Sequence, residues 1–124
     1  MSIDTDDPRA LEAIRDEIRD SLLDDFVNII EMTNCATAVV PTATFAEQRA
    51  LVVNALPALL DDPDLKIVQG LTGSPLTTRE ALLRHLDDVW PADGTLGYDP
   101  FVVWLMRADD DFGPGTFLEN ETPH

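Results

Sequence analysis

Three consecutive aspartates, Asp109 to Asp111, lie near the carboxyl end of the chain and raise the question of a cation site. An EF-hand calcium loop requires acidic or amide side chains at its first, third and fifth positions and glutamate at its twelfth. Counted from Asp109, the fifth position is Gly113 and the twelfth is Asn120. The sequence therefore excludes an EF-hand. It leaves open a weaker cation site at Asp109, Asp111 and Glu119, against the alternative of a solvated acidic turn.

A second group of carboxylates, Glu17, Asp20 and Asp24, has the spacing of one helical face. Paired acidic motifs on two helices bind Mg²⁺ in all-α nucleotide pyrophosphohydrolases. Here the next helix offers only Glu47, and few basic residues are available to meet a triphosphate. A carboxylate–magnesium enzyme of this type is the alternative function. The competing explanation is an acidic face in contact with solvent.

Nucleophilic and zinc chemistry have little support in the sequence. Cys35 is the only cysteine, and a single cysteine is more often a small buried side chain than a nucleophile. His85 has Asp88 three residues later, but the nearest serine, Ser74, lacks the flanking sequence of a nucleophile elbow. The histidines and the cysteine show no zinc-ligand spacing. We predict no catalytic residue, no metal and no cofactor.

The charge of the chain restricts its partners. Aspartate and glutamate total 24 against 8 lysine plus arginine, which gives a formal net charge of −16. Such a charge repels nucleic-acid phosphates and anionic lipids, so we expect neither direct nucleic-acid binding nor membrane binding. A basic protein surface is the favoured partner. The alternative is salt adaptation without functional meaning, since Lys66 is the only lysine.

Length and segment composition predict one cytoplasmic domain over residues 1–124. No apolar run approaches the roughly 20 residues that span a bilayer. The acidic amino terminus lacks the basic and apolar regions of a signal peptide. We expect residues 1–6 and about 119–124 to be mobile, and the oligomeric state stays open.

The carboxylates of the first helix depend on where that helix begins and ends. Asp7 followed by Pro8 is a strong helix start, and apolar residues then recur at steps of three and four. This pattern predicts a helix over residues 8–33. Its polar face is the predicted partner-binding surface, with Asp16, Glu17, Asp20, Asp24 and Glu31.

Two further helices have capping boxes in the sequence. Thr44 with Glu47 predicts the start of a nearly all-apolar helix, which we expect to be the central core element. Pro57 should kink or split this helix because proline lacks the N–H group. Thr77 with Glu80 predicts the start of another helix.

Three segments are ambiguous between helix and strand or connector. Residues 35–41 read as a connector or a short strand. Residues 65–69 and 101–107 each follow an Asp-Pro pair, so we favour helices there, although their apolar and β-branched residues also suit strands. In either case Trp104 should lie mostly in the core. The predicted fold is all-α, a compact bundle of four or five helices with room for one or two short strands; the alternative is α+β.

Acidic clusters follow or end three of the predicted helices, where the helix dipole disfavours negative charge. A fold selected for stability alone would not place them there, so cations, a basic partner or a wrongly predicted helix must explain them. The clusters are Asp61–Asp62, Asp87–Asp88 and Asp109–Asp111.

The function predicted from the sequence follows from its charge. With no catalytic constellation in the sequence, the charge favours a small acidic protein-binding module, such as an adaptor, inhibitor or immunity-type protein.

Overall fold

The computed structural model describes residues 3–23, 26–69, 74–91 and 103–108. This part of the chain is mostly helical and adds a two-stranded antiparallel sheet. In chain order the elements are α1 (Pro8–Ser21), α2 (Ile29–Val39), α3 (Phe45–Leu59), β1 (Leu65–Gln69), α4 (Arg79–Val89) and β2 (Val103–Arg107).

Helix α1 begins as predicted but ends early. The Asp7 carboxylate accepts the Arg9 N–H at 3.2 Å, and Pro8 is the first helical residue. The helix ends at Ser21, so the predicted helix over 8–33 is wrong. The reason lies outside the local sequence: Val27 exchanges two 2.9 Å backbone hydrogen bonds with Leu105 and so pairs with β2.

Helix α2 occupies the segment that was predicted to end the first helix and to continue as a connector. Asn28, which is 8% exposed, caps it by accepting the Glu31 N–H at 3.0 Å. The helix then extends to Val39, so the predicted connector or strand over 35–41 is wrong. Its apolar residues Ile29 and Met32 pack into the same core as α1.

Helix α3 confirms both the predicted capping box and the predicted central position. The Thr44 hydroxyl accepts the Glu47 N–H at 3.2 Å, and the Glu47 carboxylate accepts the Thr44 N–H at 2.9 Å. The helix continues unsplit through Pro57 and ends two residues later, at Leu59. Its fully buried residues form the middle of the main core: Leu51, Val52, Ala55, Leu56 and Leu59.

The two segments predicted as helices after Asp-Pro pairs are strands. β1 and β2 pair in an antiparallel register with Ile67 opposite Leu105 and Val68 opposite Trp104. One face of the sheet contributes Ile67 and Leu105 to the main core. The other face carries a smaller apolar cluster in which Trp104 is partly buried. Its ring meets that of Phe26 edge-on at 6.2 Å.

Helix α4 begins one residue later than predicted, because the Thr78 hydroxyl, not that of Thr77, accepts the Ala81 N–H at 3.1 Å. Its end is tied to α3 by Arg49, which donates from Nε to the Trp90 carbonyl at 2.9 Å. None of the described helices is long and apolar enough to cross a bilayer.

Candidate functional site

Three of the five predicted partner-binding residues share the exposed side of α1. Asp16, Glu17 and Asp20 are all exposed, as expected for the face opposite Ile14 and Ile18. Asp24 lies outside the described residues. The second half of α1 therefore exposes three carboxylates, of which Asp16 pairs with Arg19 at 3.3 Å.

The fifth predicted residue, Glu31, lies on α2 and not on the same helix as the others. Packing of α2 against α1 nevertheless brings it beside Glu17, because both line one open groove of about 250 Å³. The single helix predicted over 8–33 does not exist, so Glu17 and Glu31 meet through the packing of two helices and not along one helix face. The groove between the two helices is lined by Glu17, Ser21, Glu31, Asn34, Cys35 and Ala38.

Cys35 forms part of the floor of this groove and is buried, as predicted. Its sulfur lies 3.8 Å from the Ser21 hydroxyl oxygen. Burial raises the pKa of the Cys35 thiol, the hydrogen bond with Ser21 opposes this, and the negative charges of Glu17 and Glu31 raise the pKa further. A thiol held in its protonated form is a poor nucleophile. Glu17 and Glu31 thus both lie close enough to Cys35 to act on its thiol as negative charges.

A larger open cleft of about 640 Å³ lies at the carboxyl end of α1, and sequence reasoning missed it. Leu23 stands at this cleft with 70% of its surface exposed. Leu65 of β1 and Arg107 of β2 line this cleft, and both segments were predicted as helices. Its lining residues are Arg19, Leu22, Leu23, Asp62, Pro63, Asp64, Leu65, Arg107 and Ala108.

Arginines at this cleft connect separate elements. Arg19 lies 3.3 Å from a carboxylate oxygen of Asp16 and 3.4 Å from one of Asp62. Arg107 donates to the Leu22 carbonyl at 3.5 Å. Arg19 and Arg107 thus bring two positive charges to the cleft, against the two carboxylates of Asp62 and Asp64.

Two of the three acidic clusters lie at helix ends as predicted. Asp61 and Asp62 follow α3, and Asp87 lies in the last turn of α4. Arginines offset part of the unfavourable helix-dipole interaction, since Asp62 pairs with Arg19 and Asp87 lies 2.9 Å from Arg49 Nη2. The third cluster, Asp109–Asp111, lies outside the described residues, but the element before it is a strand and not a helix.

The geometry of Glu47 does not favour the carboxylate–magnesium alternative. Its two carboxylate oxygens accept the N–H groups of Thr44 and Ile3, which precedes α1. Glu17 lies nine residues after Pro8, so it is roughly 14 Å along the α1 axis from the end of the helix near which Glu47 is held. Among the residues that the structure describes, no three potential metal-ligating side chains cluster. Asp24, the aspartate triplet and Glu119 lie outside them.

Comparison of the chain with family models, with curated proteins and with solved structures finds no significant match in any of the three.

Proposed function

We propose that this protein is a small binding module whose acidic α1–α2 surface docks onto a basic surface of a partner protein. The observation that carries the proposal is the meeting of Glu17 and Glu31, from two helices, at one groove. Asp16 and Asp20 extend this acidic surface along the exposed side of α1.

The electrostatics of the surface support a cationic partner. Glu17 and Glu31 both act on the Cys35 thiol as negative charges, so a lysine or arginine side chain entering the groove would meet a favourable potential. Exposed charges of this kind mainly accelerate association and select the partner by charge complementarity. The acidic surface therefore serves recognition more than the stability of the fold.

Affinity capture tests the proposal. The full chain is immobilised and incubated with a lysate of the native host, next to a Glu17→Gln/Asp20→Asn variant. The matched control is Asp61→Asn/Asp88→Asn, which removes the same charge from exposed residues elsewhere. The wild-type chain and the control should retain the same protein, and the α1 variant should lose it. Equal retention by all three chains would contradict the proposal.

A further inference from the structure

Arg19 connects the acidic side of α1 to the loop between α3 and β1. Its Nη1 lies 3.3 Å from a carboxylate oxygen of Asp16, and its Nε donates to an oxygen of Asp62 at 3.4 Å. The other Asp62 oxygen accepts the Asp64 N–H at 2.9 Å. Both oxygens of Asp62 are thus engaged, and its side chain is only 22% exposed. Asp62 therefore holds the Arg19 guanidinium in place beside Asp16.

The order of side chains around α1 separates Arg19 from the groove between α1 and α2. Successive side chains of a helix are about 100° apart, so Arg19 lies about 60° from Asp16 but about 160° from Glu17. Glu17 lines the groove with Glu31, whereas Arg19 reaches the α3–β1 loop through Asp62. None of the ion pairs between described residues involves Glu17. Arg19 therefore acts on Asp16 and leaves the charge of Glu17 available at the groove.

We propose that Arg19 is an internal competitor for the partner's basic side chains, which occupies Asp16 and directs those side chains to Glu17 and Glu31. The inference rests on the proposed function and adds a specificity-determining residue to the docking surface. A lysine or arginine of the partner must displace the Arg19 guanidinium to reach Asp16, and the charge of Arg19 repels it there. Repulsive elements of this kind are a common source of specificity at interfaces.

The exposure of the Arg19–Asp16 pair limits the size of the effect. The two side chains are 42% and 67% exposed, and ion pairs between exposed side chains contribute little to stability. Arg19→Gln should therefore fold normally and change binding by a small factor. A double-mutant cycle is suited to such an effect because it isolates the coupling between two changed residues.

The cycle is measured with the full chain and a short synthetic arginine-rich peptide, by fluorescence anisotropy at low ionic strength. Glu17→Gln should weaken binding about threefold, whether or not Arg19 is present. Asp16→Asn should leave the Kd nearly unchanged in the wild-type background, because Arg19 already occupies that carboxylate. In the Arg19→Gln background, the same Asp16→Asn change should weaken binding about threefold.

Arg84→Gln is the matched control, since it also removes one positive charge from an exposed ion pair. Arg84 lies 3.0 Å from Glu80 on α4, and the two side chains are 71% and 83% exposed. In the Arg84→Gln background, Asp16→Asn should still leave the Kd nearly unchanged. If Arg84→Gln made binding as sensitive to Asp16→Asn as Arg19→Gln does, net charge would explain the result and the inference would be wrong.

The outcomes separate the role of Arg19 from the docking surface itself. If Asp16→Asn weakens binding equally with and without Arg19, then Arg19 is not a competitor. In that case, loss of affinity in Glu17→Gln would still support the acidic docking surface. If neither Glu17→Gln nor Asp16→Asn weakens binding more than Asp61→Asn does in any background, the docking surface is contradicted, and the role of Arg19 with it.

Discussion

Glu47 links the first turn of α3 to the amino-terminal segment of the chain. Its carboxylate accepts N–H groups from Thr44 and Ile3, at 2.9 and 3.0 Å. Both hydrogen bonds lower the pKa of Glu47 from its usual value of 4.5, and the bond from Thr44 has the larger effect. The ionised carboxylate therefore stabilises the folded chain more than the protonated acid does.

This pKa shift predicts a defined pH dependence of stability. A carboxyl group with a lowered pKa in the folded state contributes stability above its unfolded pKa and loses it as the pH falls through the folded pKa. Glu47→Gln should therefore be less stable than the wild type at neutral pH, and the difference should shrink below about pH 4.5. Urea denaturation at several pH values measures this. A difference that is independent of pH would show that the charge of Glu47 has no role.

Trp104 is the largest side chain of the smaller apolar cluster on the outer sheet face. Trp104→Ala should lower the free energy of unfolding by about 3 kcal/mol, the lower end of the range for emptying a large aromatic site, because the ring is only partly buried. Trp90→Ala should cost more, since Trp90 is 1% exposed. Chemical denaturation compares the two variants. An unchanged free energy of unfolding in Trp104→Ala would assign this ring to a binding surface.

The boundary between α1 and α2 depends on one capping residue and one bridge. The Asn28 side chain starts α2, and Val27 pairs with Leu105 of β2. Asn28→Ala should destabilise the protein by about 1–2 kcal/mol, because a buried cap is removed. Asn28→Asp should retain most of the stability, since aspartate caps equally well. Circular dichroism during denaturation measures the stability of both variants. If Asn28→Ala were as stable as Asn28→Asp, this account of the boundary would be contradicted.

Local signals in the sequence predicted the starts of α1 and α3, but they did not reveal the pairing of distant segments. Asp7 with Pro8 and Thr44 with Glu47 act within one helical turn, so the sequence identifies them without knowledge of the fold. The pairing of β1 with β2 joins segments far apart in the chain, and their local patterns fit helix and strand alike. An Asp-Pro pair can precede either element.

The sequence predicted which carboxylates of α1 are exposed, but it did not predict the geometry around them. Asp16, Glu17 and Asp20 follow from the apolar periodicity of α1, which fixes the opposite face. The same periodicity continues past Ser21, so it could not reveal that Val27 leaves the helix to join β2. The groove beside Glu31 and the cleft beside Leu23 both result from that change of direction.

The net charge of −16 affects the molecule as a whole. Repulsion among the carboxylates destabilises the compact state, and added salt screens it within a Debye length of about 10 Å at 0.1 M. The melting temperature should therefore rise between low and molar sodium chloride. Thermal melts decide this, and a flat response would remove salt adaptation as an explanation for the scarcity of lysine.

Chemical-shift mapping on the isotope-labelled full chain tests the acidic docking surface most directly. On titration with a short synthetic arginine-rich peptide, the largest amide shift changes should fall in residues 16–23 and 29–35. Amides of α4, which carries the exposed carboxylates of Glu80 and Asp88, should move less. This pattern would show that position on α1 and α2, and not net charge alone, determines binding. Shift changes as large in α4 as in α1, or none in α1, would contradict the account.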